Sequence, residues 1–374
     1  MIPIGITGQS GFIGYHLFHT LKLFPGEFTV VPFDDAFFDN PPLLDRFTAG
    51  CGAIIHLAGV NRHPDPEEVY KANIDLARRL ASSLDRTGSR AHVIFASSVQ
   101  ENRDNPYGNA KREARELLAR RAAAAGAPFT GLLIPNVFGP FGQPFYNSVV
   151  ATFSHQLNRG ETPVIDIDAS LKLIYVGELV HEILGVLRGT SGLVREAVPV
   201  THTAEAPVSA ILATLSRFRD TYLQQGVIPA MEGPFERNLF NTFRSFADPA
   251  ARFPVIYTTH TDDRGAYTEV MRAEVAGQAS FSTTRPGIVR GNHFHTRKIE
   301  RFAVIRGEAV IRLRRIGSRE VFEFRLSGNR PAFVDMPVWY THHIVNTGRE
   351  DLYTVFWVNE FYDPGDADTW FETV

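Results

Sequence analysis

The stretch TGQSGFIG at residues 7–14 decides the fold, and it directly follows the apolar run IPIGI at residues 2–6. Its glycines let the backbone turn sharply and approach a pyrophosphate, while the helix pattern that follows would offer amide groups to the negative charge. Because the motif lies between a strand pattern and a helix pattern, we predict a dinucleotide-binding turn. The expected cofactor contacts in this turn are Gly8, Gly11, Phe12, Ile13 and Gly14.

Strand and helix patterns alternate outward from this turn through the first half of the chain. Short apolar runs predict buried strands at residues 2–6, 28–33, 53–57, 92–96 and 129–134. Helical patterns lie between them at residues 13–23, 67–84 and 109–125. Such alternation is typical of an α/β Rossmann-type domain, in which a doubly wound parallel sheet carries helices on both faces.

The second half has a different texture, because apolar and polar residues alternate with a period of two at residues 309–314 and 321–326. A further strand candidate lies at residues 352–358, and glycine and proline punctuate the intervals. Short strands without long helices predict an all-β antiparallel barrel or sandwich. The expected organisation is an α/β domain over residues 1–247, a linker over residues 248–262 and an all-β domain over residues 263–374.

Composition and charge exclude several classes of protein. A chain of 374 residues exceeds what one core usually fills, which supports two domains. The 38 Lys and Arg residues nearly balance the 41 Asp and Glu residues, so neither nucleic acid nor a membrane surface is expected as a partner. With Cys51 as the single cysteine, disulfides and multi-cysteine zinc sites are excluded. No apolar run of about 18 residues and no signal-peptide pattern occurs, which predicts a cytoplasmic protein.

An acidic residue at the end of the second predicted strand bears on the choice of cofactor. Asp34 lies where a carboxylate accepts hydrogen bonds from the adenosine ribose and repels a 2′-phosphate, which favours NADH over NADPH. Asp35 is equally well placed, so the sequence leaves the two acids open.

A tyrosine, a lysine and a serine predict ketone reduction. Ser97 and Ser98 follow the fourth predicted strand, and Tyr107 and Lys111 lie four residues apart on one face of the next helix. Reduction of a ketone needs a proton donor at the developing alkoxide, and a nearby ammonium group makes a phenol a better donor by lowering its pKa. A serine hydroxyl can hydrogen-bond the carbonyl and orient it.

At these residues the sequence resembles the extended short-chain dehydrogenase/reductase family. The resemblance implies Ser98, Tyr107 and Lys111 as the catalytic set, with Lys111 also on the cofactor ribose. The motif HLAG at residues 56–59 is similar to the family's fourth-strand signature, which implies cofactor contacts from Leu57, Ala58 and Gly59. The segment PNVFGP at residues 135–140 is similar to the substrate-side segment, and the implied substrate contacts are Asn136 and Asn147. Only eight residues separate Ser98 from Tyr107, which predicts a short loop and an open site.

A histidine cluster in the second half predicts a metal centre. In the stretch HFH at residues 293–295 both imidazoles lie on one face of a strand, because side chains alternate along it. Three imidazoles and a carboxylate suit zinc or another borderline divalent ion. The predicted ligands are His293, His295, Glu300 and His342, with His343 as a rival to His342.

The spacing of these residues resembles the two motifs of the cupin family, although Trp339 stands where those motifs commonly have glycine. The resemblance implies a double-stranded β-helix, or jelly-roll, barrel. A reductase followed by a cupin domain resembles the bifunctional enzymes of capsular polysaccharide precursor synthesis, and this resemblance runs over nearly the full chain.

That second resemblance implies the chemistry. The substrate would be a UDP-linked 4-keto-6-deoxy-N-acetylhexosamine, epimerised at C3 by the cupin domain and then reduced at C4 to UDP-2-acetamido-2,6-dideoxy-L-talose, a precursor of N-acetyl-L-fucosamine. It implies NADPH, against the NADH that Asp34 favours, together with a homodimer. If the predicted ligands hold Zn²⁺ or another divalent metal, the epimerase base remains open between Lys298, Tyr340 and His343. The alternative is a reductase whose cupin domain only binds or dimerises.

Overall fold

A computed structural model describes residues 1–189 and 194–374. Contacts between Cα atoms divide the chain into two compact units. The first comprises Met1–Phe138, Gly142–Val149 and Ala169–Pro207, and the second comprises Gly139–Phe141, Val150–Asp168 and Val208–Val374. Residues 208–247, which the sequence assigns to the α/β domain, thus make their contacts within the second unit. The domain limits at residues 247 and 263 stay a prediction.

Strands and helices have the following bounds in the described residues. The strands of the first unit are β1 (Ile2–Thr7), β2 (Phe28–Val31), β3 (Ala53–His56), β4 (His92–Ser98), β5 (Phe129–Ile134), β6 (Asn136–Phe138), β7 (Ser170–Tyr175), β8 (Val194–Pro199) and β9 (Ala204–Pro207). The strands of the second unit are β10 (Val255–Ile256), β11 (Thr259–Asp262), β12 (Gly265–Thr268), β13 (Gln278–Thr284), β14 (Val289–Phe294), β15 (Glu300–Arg306), β16 (Glu308–Arg315), β17 (Val321–Ser327), β18 (Ala332–Met336), β19 (Tyr340–Asn346), β20 (Leu352–Val358) and β21 (Trp370–Phe371). The α-helices are α1 (Phe12–Leu21), α2 (Pro41–Ala49), α3 (Pro66–Arg86), α4 (Pro106–Ala125), α5 (Val149–Asn158), α6 (Val176–Arg188), α7 (Val208–Phe218), α8 (Gly233–Arg244) and α9 (Pro249–Arg252).

The first unit is built on a six-stranded parallel sheet with the order β2-β1-β3-β4-β5-β8. The chain passes from β1 to β2 on one side and then to β3 on the other. This switch in direction opens a crevice at the carboxyl ends of the strands, where open α/β sheets bind their ligands. The parallel sheet predicted from the sequence is confirmed, since all five predicted strands are present.

Helices cover both faces of this sheet. Ile54 points into a core formed with α2, α3 and α4, whereas its neighbour Ile55 points into a core formed with α1 and α6. Phe95 and Ile94 on β4 divide between the same two cores. Successive residues of a strand face opposite sides, so this division is what a doubly wound sheet requires.

The chain between β2 and β3 forms a 3₁₀ helix (Asp35–Asp39) and α2, and the HLAG motif begins at the last residue of β3, which is the third of the predicted strands. The side chain of Asn40 accepts a hydrogen bond from Leu43 N at 3.3 Å, and prolines occupy the first positions of α2, which favours the start of a helix.

The second unit contains two five-stranded antiparallel sheets, with the orders β10-β18-β15-β20-β13 and β17-β16-β19-β14-β21. Val304 and Phe333 from the first sheet share one core with Ile311 and Leu313 from the second. Two antiparallel sheets enclosing one core are consistent with the predicted cupin-like fold. Among the described residues, no helix is both long enough and apolar enough to cross a membrane.

Candidate functional site

The glycine turn between β1 and α1 leaves no room for side chains. Gly8 has φ of +70°, and a Cβ there would lie 2.8 Å from the backbone nitrogen of Ala58. A Cβ at Gly14 would lie 2.2 Å from the carbonyl oxygen of Gly8. Gly11 precedes the first residue of α1 and provides no capping side chain, so the amide groups at this helix end are open to an anion. Phe12 and Ile13, the first residues of α1, are half-buried beside the turn.

The two acids after β2 have different contacts. Asp34 accepts a hydrogen bond from Ala36 N at 2.9 Å and so caps the 3₁₀ helix. Asp35 accepts one from the Ser10 hydroxyl at 3.3 Å. Because Ser10 belongs to the glycine turn, the structure brings Asp35 to that turn and gives Asp34 a local structural contact.

The HLAG motif lies against the glycine turn at the end of β3. The Thr7 hydroxyl contacts His56 Nδ1 at 2.7 Å and accepts a hydrogen bond from Ala58 N at 3.3 Å. Burial, together with the charge of Lys111, lowers the pKa of His56 to about 3, so this imidazole is neutral. Leu57 packs into the core on the α1 side and Ala58 into the opposite core. The motif is therefore a rigid wall of the crevice.

Asn73 on α3 holds the turn after this motif, and the sequence reasoning missed it. Its side-chain nitrogen donates to the carbonyls of Val60 and Val69, both at 2.7 Å. A Cβ at Gly59 would lie 2.6 Å from Asn73 Oδ1 and 3.2 Å from Lys111 Nζ. The available signal was a lone buried amide among apolar residues at helical spacing on α3.

The predicted catalytic residues meet at the carboxyl end of β4. Burial raises the pKa of Tyr107 to about 12, although a hydrogen bond with Ser98 acts to lower it. Lys111 Nζ donates to the Ala96 carbonyl at 3.0 Å and lies 5.8 Å from the centroid of the Tyr107 ring. Burial therefore decides the direction of the Tyr107 pKa, and the expected lowering by Lys111 stays a prediction. Burial also lowers the pKa of Lys111 to about 8, against the opposing charge of Glu101.

The structure distinguishes the two adjacent serines. The Ser97 hydroxyl donates to the buried carboxylate of Glu101, whereas the Ser98 hydroxyl accepts from Gln100 N at 3.2 Å and acts to lower the pKa of Tyr107. Arg115 Nε donates to both Glu101 oxygens, at 3.0 and 3.1 Å, and forms a buried ion pair. Glu101 is a residue that the sequence reasoning missed. Its only signal was its position just after the serines.

The two predicted substrate contacts lie in different places. Asn136 on β6 donates to the Lys172 carbonyl of β7 at 3.2 Å. Asn147, with φ of 59°, donates to the Asn61 carbonyl at 3.2 Å. Its neighbour Tyr146 accepts from Asn61 N at 3.2 Å and interacts electrostatically with Tyr107. Asn147 is thereby linked to the Tyr107 group.

The second unit brings the four predicted metal ligands together. One nitrogen or oxygen atom from each of His293, His295, Glu300 and His342 lies within 4.8 Å of the corresponding atoms of the other three. His293 on β14 pairs directly with His342 on β19, and Glu300 begins β15. His295 follows the last residue of β14, two positions after His293, so both imidazoles lie on the same side.

The orientation of the imidazoles fits a cation. Nδ1 of His295 contacts the Asp368 carbonyl at 2.5 Å, and Nδ1 of His342 contacts the Tyr340 carbonyl at 3.3 Å. Their Nε2 atoms therefore present lone pairs, and they face Glu300 Oε2 at 3.0 and 3.3 Å. All three of these buried atoms lack a hydrogen-bond partner among the described residues. A divalent ion would satisfy such a convergence of lone pairs.

Two of the four residues have the protonation state that a metal ligand needs. Burial lowers the pKa of His293 to about 4. Burial acts to raise the pKa of Glu300, but His295 and His342 outweigh it and hold that pKa well below its ordinary value. Metal ligands must be neutral imidazoles and ionised carboxylates, and these two residues meet that condition at neutral pH. For His295, burial acts to lower the pKa, but Glu300 outweighs it and raises that pKa.

The three candidates for an epimerase base have distinct surroundings. Lys298 is buried and its Nζ donates to the Ala367 carbonyl at 2.6 Å. His343 lies on the opposite face of β19 from His342 and contacts Asn292 Oδ1 at 3.0 Å. Tyr340 lies on the same face as His342, and burial raises its pKa.

Comparisons with known proteins agree with both halves of this description. Residues 4–197 match the NAD dependent epimerase/dehydratase family, and residues 260–370 match the polysaccharide biosynthesis C-terminal domain. The chain is 33% identical over 369 residues to the UDP-2-acetamido-2,6-beta-L-arabino-hexul-4-ose reductase of Pseudomonas aeruginosa, covering 98% of this chain and 97% of that protein.

Solved structures are similar as well. The capsular polysaccharide assembling protein CapF from Staphylococcus aureus matches with a TM-score of 0.63 and 31% identity, and 100% of both chains is covered. A UDP-glucose 4-epimerase from Thermotoga maritima, solved with UDP-glucose, matches with a TM-score of 0.55 over 66% of this chain and 98% of that one. At 20% identity, this second likeness concerns the fold alone.

Proposed function

Because the chain belongs to the NAD dependent epimerase/dehydratase family and is a CapF-like enzyme over its whole length, we propose that it reduces the C4 ketone of a UDP-linked 4-keto-6-deoxy-N-acetylhexosamine. The observation that carries this proposal is the grouping of Ser98, Tyr107 and Lys111 at the carboxyl end of β4, where Ser98 acts to lower the pKa of Tyr107 and Lys111 Nζ lies 5.8 Å from the centroid of its ring. The reductase name of the Pseudomonas aeruginosa relative supports the substrate class.

We propose that the crevice of the first unit holds the nicotinamide cofactor, NADPH or NADH. The glycine turn at residues 8–14 would receive the pyrophosphate, since no side chain caps the start of α1 and its amide groups face an anion there. Leu57, Ala58 and Gly59 would line the cofactor, and Lys111 would reach its ribose. NADPH is the first choice from the resemblance. The acids Asp34 and Asp35 favour NADH, and Asp35 is the one that contacts the glycine turn.

When bound, the reduced cofactor supplies a hydride to C4 of the sugar and is itself oxidised. The Tyr107 hydroxyl gives its proton to the ketone oxygen, so the ketone gains one hydride and one proton and becomes an alcohol. Ser98 orients the carbonyl and hydrogen-bonds the tyrosine. Lys111, with a pKa of about 8, is positively charged at neutral pH and stabilises the phenolate that remains. Asn136 and Asn147 are the proposed contacts to the substrate.

We further propose a C3 epimerase activity in the second unit. The proposed ligands of a divalent metal, with Zn²⁺ as first choice, are His293, His295, Glu300 and His342. When bound, this ion would polarise the ketone oxygen or tie the ligand strands together. A base must remove the C3 proton, which the adjacent ketone acidifies. Lys298, Tyr340 and His343 remain the candidates, and their surroundings favour Tyr340, because Lys298 is engaged with Ala367 and His343 lies on the other face of β19.

The proposed product is UDP-2-acetamido-2,6-dideoxy-L-talose, a precursor of N-acetyl-L-fucosamine in surface polysaccharide. We propose residues 1–247 as the reductase domain, residues 248–262 as a linker and residues 263–374 as the metal-binding domain. The match of residues 260–370 to a separate family supports the third limit. A homodimer is proposed from the resemblance alone, and light scattering of the purified protein measures it.

Product analysis tests the reductase. The full chain is incubated with the UDP-keto-sugar and either NADPH or NADH, and the product is identified by NMR. We expect a 4-hydroxy sugar from the wild type and none from Tyr107→Phe. Turnover unchanged in Tyr107→Phe would refute the assignment of the proton donor.

The alternative function is a reductase whose second unit only binds or dimerises. The Tyr107→Phe chain separates the two, because it keeps the second unit intact while blocking reduction. In D₂O this variant should introduce deuterium at C3 of the keto-sugar, and adding His295→Ala should remove both the exchange and the bound metal seen by native mass spectrometry. If the keto-sugar incubated with Tyr107→Phe keeps all of its hydrogen at C3, the result supports the alternative function instead.

A further inference from the structure

Beyond the four proposed ligands, we propose that Asp368 is a positioning residue of the metal centre, and that the segment at residues 366–372 is the element through which it acts. This inference rests on the proposed metal site. Asp368 lies 73 residues after His295 in the chain and is 6% exposed. Its backbone carbonyl and its carboxylate each contact the region that bears two of the proposed ligands.

The carbonyl contact fixes the imidazole of His295. Nδ1 of His295 lies 2.5 Å from the Asp368 carbonyl oxygen, and a carbonyl can only accept a hydrogen bond. A proton must therefore lie on Nδ1, and in the neutral imidazole Nε2 then presents its lone pair to the cluster. A partner of this kind sets the tautomer and the ring orientation of a metal-binding histidine.

The carboxylate holds the turn that separates two proposed ligands. Asp368 accepts hydrogen bonds from the backbone nitrogens of Thr296, Arg297 and Lys298, at 3.0, 2.9 and 3.1 Å respectively. It also accepts from the Thr296 hydroxyl at 2.7 Å. These three residues lie between His295 and Glu300. One side chain thus fixes the path of the chain from one proposed ligand to the next.

The rest of the segment anchors Asp368 against the ligand strands. β21 pairs with β14, where Phe371 lies opposite His293 and Trp370 opposite Phe294. Lys298 Nζ donates to the carbonyl of Ala367 at 2.6 Å. The buried Lys298 therefore holds Ala367, the residue before Asp368, in place by a hydrogen bond. The segment supports the metal centre from outside the ligand set.

The backbone of Asp368 decides which variant tests the proposal. Its φ is 39°, a left-handed conformation that Asp and Asn tolerate better than other residues with a Cβ. Asp368→Asn keeps the size and this tolerance but replaces one acceptor oxygen by a donor. The control is Asp363→Asn in the same part of the chain, where an exposed carboxylate accepts from Gly365 N at 2.8 Å.

The test compares zinc affinity by chelator competition in the full-length wild type, Asp368→Asn and Asp363→Asn, together with the visible spectrum of each protein loaded with Co²⁺. Loss of a hydrogen-bonded partner behind a metal ligand typically costs about 10- to 100-fold in metal affinity. We expect that loss, with an altered Co²⁺ spectrum, in Asp368→Asn, and values within about twofold of wild type in Asp363→Asn. NADPH affinity should not change in either, which shows that the first unit is intact.

Different results of this test would refute the proposed metal site or the role of Asp368 alone. A wild type that binds no stoichiometric zinc refutes the metal site, and this inference with it. A wild type that binds zinc, with Asp368→Asn equal to it in affinity and spectrum, refutes the positioning role alone. If Asp368→Asn does not fold, Thr296→Val carries the test, since it removes only the hydroxyl donor at 2.7 Å. An unchanged affinity and spectrum in that variant would then overturn the proposal.

Discussion

The Ser97 hydroxyl donates a hydrogen bond to the carboxylate of Glu101, just beyond the end of β4. Glu101 in turn is held by the Arg115 guanidinium, which donates to both of its oxygens. Ser97 is therefore part of a buried network, while the next residue, Ser98, accepts from Gln100 N at 3.2 Å and acts to lower the pKa of Tyr107. Two adjacent serines of similar sequence context have separate roles, one in holding the strand end and one at the proposed reaction centre.

Replacing Ser98 and replacing Ser97 should have different effects on the reaction rate. We predict that Ser98→Ala lowers kcat for ketone reduction by about 100-fold, because one donor to a developing oxyanion is typically worth that much. Ser97→Ala should keep kcat within several-fold of wild type and instead lower the melting temperature. Both are measured from the loss of nicotinamide absorbance and from thermal unfolding. A larger kinetic loss in Ser97→Ala than in Ser98→Ala would reverse the assignment.

The ion pair beneath Ser97 should matter for stability. Glu101→Gln leaves the guanidinium of Arg115 buried without its anion, and the two side chains are only 6% and 10% exposed. We predict a loss of about 3 kcal/mol in the free energy of unfolding, measured by urea denaturation.

Glu116→Gln is the matched control for that loss. Glu116 pairs with Arg120 at 3.6 Å on the surface of the same helix, where both side chains are well exposed. Exposed pairs of this kind are worth about 0.5 kcal/mol or less. Equal losses in the two variants would show that burial of the Glu101 pair adds nothing to stability.

The sequence predicts those parts of the site whose residues are close in the chain. The glycine turn, the Tyr107–Lys111 spacing and the His293–His295 pair each depend on local geometry, since turns, helices and strands impose fixed side-chain directions. The parallel sheet followed from the same local periodicity. The structure places these residues in the arrangements described above, and their roles remain proposals.

The missed residues act over long separations in the chain. Asn73 holds the turn at Gly59, and Asp368 holds the turn after His295, through contacts that depend on how distant segments pack. No local spacing encodes such contacts. The burial of Tyr107 is hidden for a related reason, because the sequence shows a neighbouring ammonium group but not the burial that raises the pKa of this tyrosine.

The glycine turn should reject a methyl group at Gly14. A Cβ there would lie 2.2 Å from the Gly8 carbonyl oxygen, and backbone cannot move aside as a flexible side chain can. Overpacking of this kind typically costs about 1–3 kcal/mol. We predict that Gly14→Ala lowers NADPH affinity by at least about tenfold, measured by isothermal titration calorimetry.

Gly185→Ala is the control for Gly14. Gly185 lies within α6, and in the described part of the chain no atom outside its own helix approaches within 4 Å of an added Cβ. This change should leave NADPH affinity unchanged and raise stability by about 1 kcal/mol, because alanine is the better helix former. Gly14→Ala binding as tightly as wild type would show that the turn does not bind the cofactor closely.

Lys111 should be a residue that lowers stability while it supports activity. It is 4% exposed, and burial lowers its pKa from 10.5 to about 8. That difference corresponds to roughly 3 kcal/mol of destabilisation at neutral pH, offset in part by the hydrogen bond to the Ala96 carbonyl, worth about 1 kcal/mol. We predict that Lys111→Met raises the free energy of unfolding at neutral pH by about 2 kcal/mol and lowers kcat/KM by at least about 100-fold.

The lowered pKa of Lys111 also predicts how the stability difference between wild type and Lys111→Met changes with pH. Between pH 8 and 10.5 the unfolded chain holds the lysine proton and the folded chain has lost it, so the unfolded state binds more protons. Stability of the wild type must therefore rise with pH across this window, relative to Lys111→Met, which has no proton to lose. The stability gap between the two proteins, measured by urea denaturation, should be largest at neutral pH and should shrink as the pH passes 8. A gap that stays constant or widens would mean that Lys111 keeps an ordinary pKa in the folded protein.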